Sequence, residues 1–213
     1  TQYGQMTAGS YMYIGPQGIV HGTTITVLNG GRKIAKNSED LAGKLFVTSG
    51  LGGMSGAQPK AGNIAGCITV CAEVNPKITE IRLSQGWIDE KITDLDELVK
   101  RVIKAKQQKE IVSIAYLGNI VEVWEKFDNA NIHVDLGSDQ TSLHNPWAGG
   151  YYPVDIPFED ANIMMADKPD KFMEKVKESL RRHVAAIKRH TDRGTYFFDY
   201  GNAFLLEASR AGA

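Results

Sequence analysis

Lys44-Leu-Phe-Val-Thr-Ser49 runs directly into Gly50-Leu-Gly-Gly-Met-Ser-Gly56, then through the small-residue stretch from Ala57 to Gly66 into Cys67-Ile-Thr-Val-Cys-Ala72 and Glu73. Each apolar run is short and bounded by turn signals, the pattern of a strand buried on both faces. The small residues between them suit a helix packed closely on a sheet. Strand, glycine loop, helix, strand, acid is the order of a nucleotide-binding βαβ unit. Its physics is coherent, because bare backbone lets a pyrophosphate approach a helix N-terminus, where free N–H groups and the helix dipole favour an anion. Glu73, about twenty residues beyond Gly50 at the end of the next strand, would accept hydrogen bonds from a ribose diol and repel a 2′-phosphate. NAD is therefore expected over NADP.

The alternation continues outward from this unit. Upstream, Gly18 to Gly31 encloses Ile19, Val20, Ile25, Val27 and Leu28 and reads as a helix despite its β-branched residues. Downstream, Asp94 to Ile103 sets Leu95, Leu98, Val99 and Val102 on one stripe with acids in the first turn, an amphipathic helix. Ile111–Leu117 reads as a third strand closed by Gly118-Asn119, Val121–Phe127 as a helix, and Ile132–Leu136 as a fourth strand. A charged helix from Lys168 to His190 buries Phe172, Val176, Leu180, Val184 and Ile187, and Phe197-Phe-Asp-Tyr-Gly-Asn202 ends in a second Gly-Asn turn before a last helix. Strands interleaved with helices require a mostly parallel sheet, so the chain is expected to be an α/β, Rossmann-like, doubly wound fold with helices on both faces. Ligands on such sheets bind beyond the carboxyl ends of the strands, which selects Gly50–Gly56, Glu73, Gly118-Asn119 and the segment after Leu136.

Composition limits the function classes. The 213 residues fit a single domain with ample core, and 24 Lys+Arg against 25 Asp+Glu leave no electrostatic footprint for a nucleic acid or an anionic membrane. No apolar run is long enough to span a bilayer, and two cysteines, Cys67 and Cys71, fit a reduced, cytoplasmic setting as buried structural thiols. No second Cys/His pair completes a metal site. The 22 glycines are the unusual count, and they cluster at joints between elements.

Among polar candidates, Asn119 and Asn202 follow glycines and each suits a left-handed turn. His144 shares a long polar and aromatic loop, Asp139 to Tyr152, with Gln140, Thr141 and Ser142, short groups suited to holding a ligand amide or phosphate. His21, His133, His183 and His190 have no comparable company, and the last two are expected on a solvated helix face. No Ser-His-Asp arrangement or acid/base carboxylate pair stands out, and the ends, Thr1-Gln-Tyr-Gly and Ser209-Arg-Ala-Gly-Ala213, read as cuts in a longer protein.

Five blocks, Gln2–Ser10, Tyr13–Val20, Gly50–Pro59, Asp139–His144 and Phe198–Asn202, together resemble the urocanase (urocanate hydratase) family, collinearly over essentially the whole chain. The resemblance implies a central NAD-binding domain, residues 1–213, that interrupts a larger core domain, with residues 1–20 and 191–213 leading into it. It implies a lyase of histidine degradation, homodimeric, that adds water to urocanate to give imidazolonepropionate. Its tightly bound NAD+ acts as an electrophile and is not consumed. Carried over by position, cofactor contacts fall on Gln5, on Gly53, Met54 and Ser55, on Glu73, and on Lys77 as the basic residue after that acid. They continue at Asn119 and Ile120, at Gln140, Thr141, Ser142, Leu143 and His144, at Tyr151 and Tyr152, and at Tyr200. The family's catalytic cysteine belongs to a downstream region, so neither Cys67 nor Cys71 takes that role. On the residues alone two other readings stand: an NAD-dependent dehydrogenase, for which only His144 could relay a proton, and a non-catalytic NAD-binding module.

Overall fold

The structure, a computed structural model, describes residues 16–35, 41–200 and 203–213. Helix α1 (Pro16–Ile34) leads into β1 (Leu45–Ser49), the glycine loop, α2 (Gln58–Ala65) and β2 (Ile68–Glu73). Then come α3 (Pro76–Ser84), β3 (Glu90–Ile92), α4 (Leu95–Gln108), β4 (Val112–Leu117), α5 (Ile120–Asn129) and β5 (Leu136–Asp139). The chain closes with α6 (Phe158–Asp167), α7 (Pro169–Thr191), β6 (Tyr196–Asp199) and α8 (Phe204–Arg210). The strands form one sheet in the order β3-β4-β2-β1-β5-β6, and every pairing is parallel.

Alternate residues of the buried strands pack on the two faces of the sheet. Leu45, Val47, Ile68 and Val70 face α4, α5 and α7 in the larger cluster, around Trp124, Phe127 and Phe172. Phe46, Cys67 and Leu136 face the other way, with Val27 of α1 and Ala65 of α2. The connection leaving β1 thus runs over one face and that leaving β5 over the other. This divergence is the topological switch point at which doubly wound sheets bind ligands.

Three expectations are corrected. The fourth strand lies at Leu136–Asp139 and not at Ile132–Leu136. Ile132 and Val134 are buried as expected, but the ladder continues through Gly137, Ser138 and Asp139, polar residues that read as loop. They belong in the sheet for specific reasons. A Cβ on Gly137 would lie 2.6 Å from the Trp124 ring, and Ser138 and Asp139 bond to β1. His183 and His190 are buried, not solvated. They fall on the same stripe of α7 as Val176, Leu180 and Ile187, where the imidazoles bond Tyr151 Oη and the Trp124 carbonyl, each at 3.0 Å. Burial pushes His183 down to about 3, so it stays neutral. Asn119 is an extended N-cap, at φ −83°, and not a left-handed turn residue. Asn202 lies outside the described residues.

Cys67 and Cys71 are free and buried, as expected, and burial pushes the Cys67 thiol up to about 12. Among the described residues no helix is long and apolar enough to cross a membrane, and no cluster suited to a metal ion occurs.

Asp135 fastens the start of β5 to β1. Its buried carboxylate accepts the Leu45 N–H at 2.9 Å and meets Lys44 Nζ and Lys106 Nζ at 3.0 Å each. Burial alone would raise its pKa, but the Leu45 N–H and the two ammonium groups outweigh it and hold the carboxyl below the usual range. A carboxylate so depressed stabilises the fold above its unfolded pKa of about 4 and loses that contribution as pH falls through the lower folded value. Asp135→Asn is expected to destabilise by about 1–3 kcal/mol at pH 7, with the deficit shrinking in acid. Urea unfolding of both proteins at pH 7 and pH 3 checks this.

Candidate nucleotide site

Four strand ends converge on one cleft of about 210 Å³. Ser49 ends β1 and Gly50 follows it, Glu73 closes β2, Gly118 and Asn119 follow β4, and Gln140, Thr141 and Ser142 follow β5, all lining it together with Gly149 to Tyr152. These are the strand ends that the parallel-sheet rule selects. The cleft is smaller than the ~300–1,000 Å³ of sites that enclose a small molecule, so a dinucleotide would extend beyond its walls.

The glycine loop is shaped by its neighbours. Gly50 has φ +87°, and a Cβ there would lie 2.9 Å from Ser55 Oγ and 3.2 Å from the Gln140 carbonyl. This position therefore needs glycine both for conformation and for space. A short 3-10 turn, Ser55–Ala57, leads into α2. Ser55 is buried and lines the cleft; Met54 and Gly53 are exposed on the outer part of the loop and do not.

Glu73 holds this loop and the next one at once. Oε2 accepts the Leu51 N–H at 2.8 Å, and Oε1 accepts the Asn75 N–H at 2.9 Å. Burial pushes the carboxyl up against these two donors. A carboxylate offers about four lone-pair sites, so two remain for ligand hydroxyls. Lys77, in the first turn of α3, is exposed and off the cleft; Ile78 stands there instead.

Asn119 caps α5 in a capping box with Glu122, accepting the Val121 N–H at 3.0 Å. Its Nδ2 donates to the Tyr152 carbonyl at 2.9 Å, tying that helix N-terminus to the aromatic wall. Tyr152 donates its hydroxyl to Asn162 Oδ1 at 2.8 Å and packs on Phe158, ring centroids 4.9 Å apart. Tyr151 is fully buried on His183, and Ile120 is buried at the cleft edge.

The remaining sequence-derived positions separate. Gln140, Thr141 and Ser142 line the cleft; Leu143 turns into the large core, and His144 is exposed and outside the lining. Tyr200 packs edge-on against Phe198, centroids 5.2 Å apart, and does not line the cleft. Gln5 lies outside the described residues.

Sequence reasoning missed the polar layer beneath the loop. Thr48 Oγ1 donates to Gln58 Oε1 at 2.5 Å and lies 2.9 Å from Ser138 Oγ, while Gln58 Nε2 donates to the Ser49 carbonyl at 3.0 Å. Asp139, also buried, accepts the Ser49 hydroxyl at 2.5 Å, the Thr141 N–H at 3.0 Å and the Thr141 hydroxyl. Burial pushes its carboxyl up, against these donors. The available signal was hydroxyl and carboxyl groups at the ends of apolar runs, Thr48-Ser49 and Ser138-Asp139.

Against known families, a model described as the urocanase Rossmann-like domain matches residues 15–213. The chain belongs to the urocanase family. It is 60% identical to a probable urocanate hydratase of Dictyostelium discoideum, 58% identical to one of Caenorhabditis elegans and 56% identical to the urocanate hydratase of Homo sapiens. In each case the match covers 100% of this chain and 32% of the relative, so the chain spans about a third of the length of the curated relatives it matches.

The two roles of Asn119 in this urocanase domain separate by substitution. Asn119→Asp retains the cap but sets a carboxylate oxygen against the Tyr152 carbonyl in place of the donor, whereas Asn119→Ala loses both the cap and the donor. Expected costs are about 0.5–1.5 and about 1–2 kcal/mol respectively, read from hydrogen exchange along the first turn of α5.

Proposed function

We propose that this domain holds NAD+ for a urocanate hydratase, and that the full-length protein adds water to urocanate to give imidazolonepropionate. The observation that carries the reading is the convergence of the glycine loop, Glu73 and the Gln140–Ser142 segment on one cleft, in a chain of this family. The residues fit the group. Side-chain-free backbone at Gly52 lines the cleft, and a Cβ there would come no closer to another residue than 3.5 Å, at Ser55 Oγ. A phosphate can therefore sit against the loop.

NAD+, when bound, supplies an electron-poor nicotinamide ring as the electrophile. The chain's own residues do the holding. The loop amides face phosphate oxygens, Glu73 accepts ribose hydroxyls on its remaining lone pairs, and Gln140, Thr141 and Ser142 present donors and acceptors to the other half of the ligand. The Tyr151–Tyr152 wall excludes water on one side. No residue of the chain is assigned a proton transfer; that chemistry falls to groups contributed from outside it, a downstream cysteine among them. The resemblance further supports a homodimeric protein of cytoplasmic histidine degradation, acting on a small molecule and on neither nucleic acid nor membrane.

The full-length protein is expected to consume urocanate with no accumulation of NADH, followed by absorbance at the urocanate and NADH bands together. Stoichiometric NADH formation would overturn the reading in favour of a dehydrogenase. Gln140→Ala, with folding intact, is expected to abolish most turnover; unchanged turnover would favour a module that binds NAD without serving catalysis.

A further inference from the structure

Arg82, on α3, reaches the underside of the glycine loop. Its Nε donates to the Leu51 carbonyl at 2.9 Å and its Nη2 to the Gly52 carbonyl at 2.7 Å, while Nη1 meets Gln85 Oε1 at 3.2 Å. The guanidinium does not line the cleft. It lies on the far side of the loop, where a Cβ on Gly56 would fall 2.7 Å from Nε and 2.9 Å from the Leu51 oxygen. Next to it the Cys71 thiol donates to the Gly50 carbonyl at 3.2 Å. Three consecutive carbonyls, of Gly50, Leu51 and Gly52, are thus each held by a donor from the body of the domain.

Peptide geometry converts this into a statement about the cleft. In a trans unit the N–H points opposite to the C=O, and no cis peptide occurs among the described residues. The Gly52 N–H shares its unit with the Leu51 carbonyl, and the Gly53 N–H with the Gly52 carbonyl. Gly52 has no side chain to resist rotation of either plane; the Gly52 carbonyl also accepts the Gly56 N–H at 3.0 Å within the loop, whereas the Leu51 carbonyl is held from outside the loop by Arg82. A rotation would present carbonyl oxygens where an anion needs donors.

We propose that Arg82 is the positioning residue of this site, fixing the two peptide planes that flank Gly52 so that the Gly52 amide faces the pyrophosphate. The inference rests on the reading that the cleft takes NAD+. The role belongs to the planar fork, which bonds two carbonyls at once, and not to the positive charge, which a lysine would also supply.

The test uses nucleotide-stripped full-length protein, titrated with ADP-ribose and with adenosine, which lacks the pyrophosphate. Arg82→Lys is expected to weaken ADP-ribose about ten- to a hundredfold and to leave adenosine nearly unchanged. Arg82→Ala should do the same, with partial recovery on adding ethylguanidinium; should it not fold, the lysine variant still decides. ADP-ribose binding by Arg82→Lys equal to that of the parent would overturn the inference alone, as would equal weakening of both ligands. A parent that binds no ADP-ribose would remove the NAD+ reading and this inference with it.

Discussion

Strand β1 has parallel partners on both sides, β2 and β5, and the connections that leave β1 and β5 run over opposite faces of the sheet. Nothing can then cover the gap between the two strand ends from within the sheet itself. The glycine loop and the Asp139–Ser142 segment rise on either side of that gap, and Glu73 and Asn119 close it from the neighbouring strands. Every other feature of the site is a means of holding those four ends in place.

The holding is largely polar and buried. Thr48, Gln58 and Ser138 form a hydrogen-bonded layer across β1, β5 and α2, and Asp139 gathers Ser49 and Thr141 above it. Buried polar groups are costly when unpaired, and these are paired, so the layer fixes one register of β5 against β1 where apolar contacts alone would tolerate a slip. Glu73, Arg82 and Cys71 play the same part for the glycine loop. Binding then costs little reorganisation, which is what preorganisation means in energetic terms.

Much of this was legible in the chain. The apolar runs at 44–49 and 67–72, the glycine loop between them and the acid after them fixed the central βαβ unit, because short buried parallel strands leave few alternatives. The stripe of α4, with Leu98 and Val102, read correctly for the same reason. Beyond them, the reading failed where residue type and position disagree. Gly137, Ser138 and Asp139 look like loop and form strand, since their partners Trp124, Thr48 and Ser49 are distant in sequence. His183 and His190 lie at heptad spacing with Val176 and Leu180, and the spacing, not the polarity of imidazole, decided their burial. The short elements α3, β3 and β6 carried too little periodicity to be read.

The sequence by itself determined the α/β class, the central βαβ unit and the family, for these depend on local hydrophobic period, on glycine placement and on collinear motifs. Only the tertiary structure decided which candidate residues share the cleft. It brought Ser55, Glu73, Asn119, Ile120, Gln140, Thr141, Ser142, Tyr151 and Tyr152 to its lining and left Lys77, Leu143, His144 and Tyr200 out of it. It also brought Arg82 to the back of the loop. Neighbours in a parallel sheet come from segments separated by whole helices, so their meeting is set by strand order and crossover direction, which no local stretch of sequence encodes.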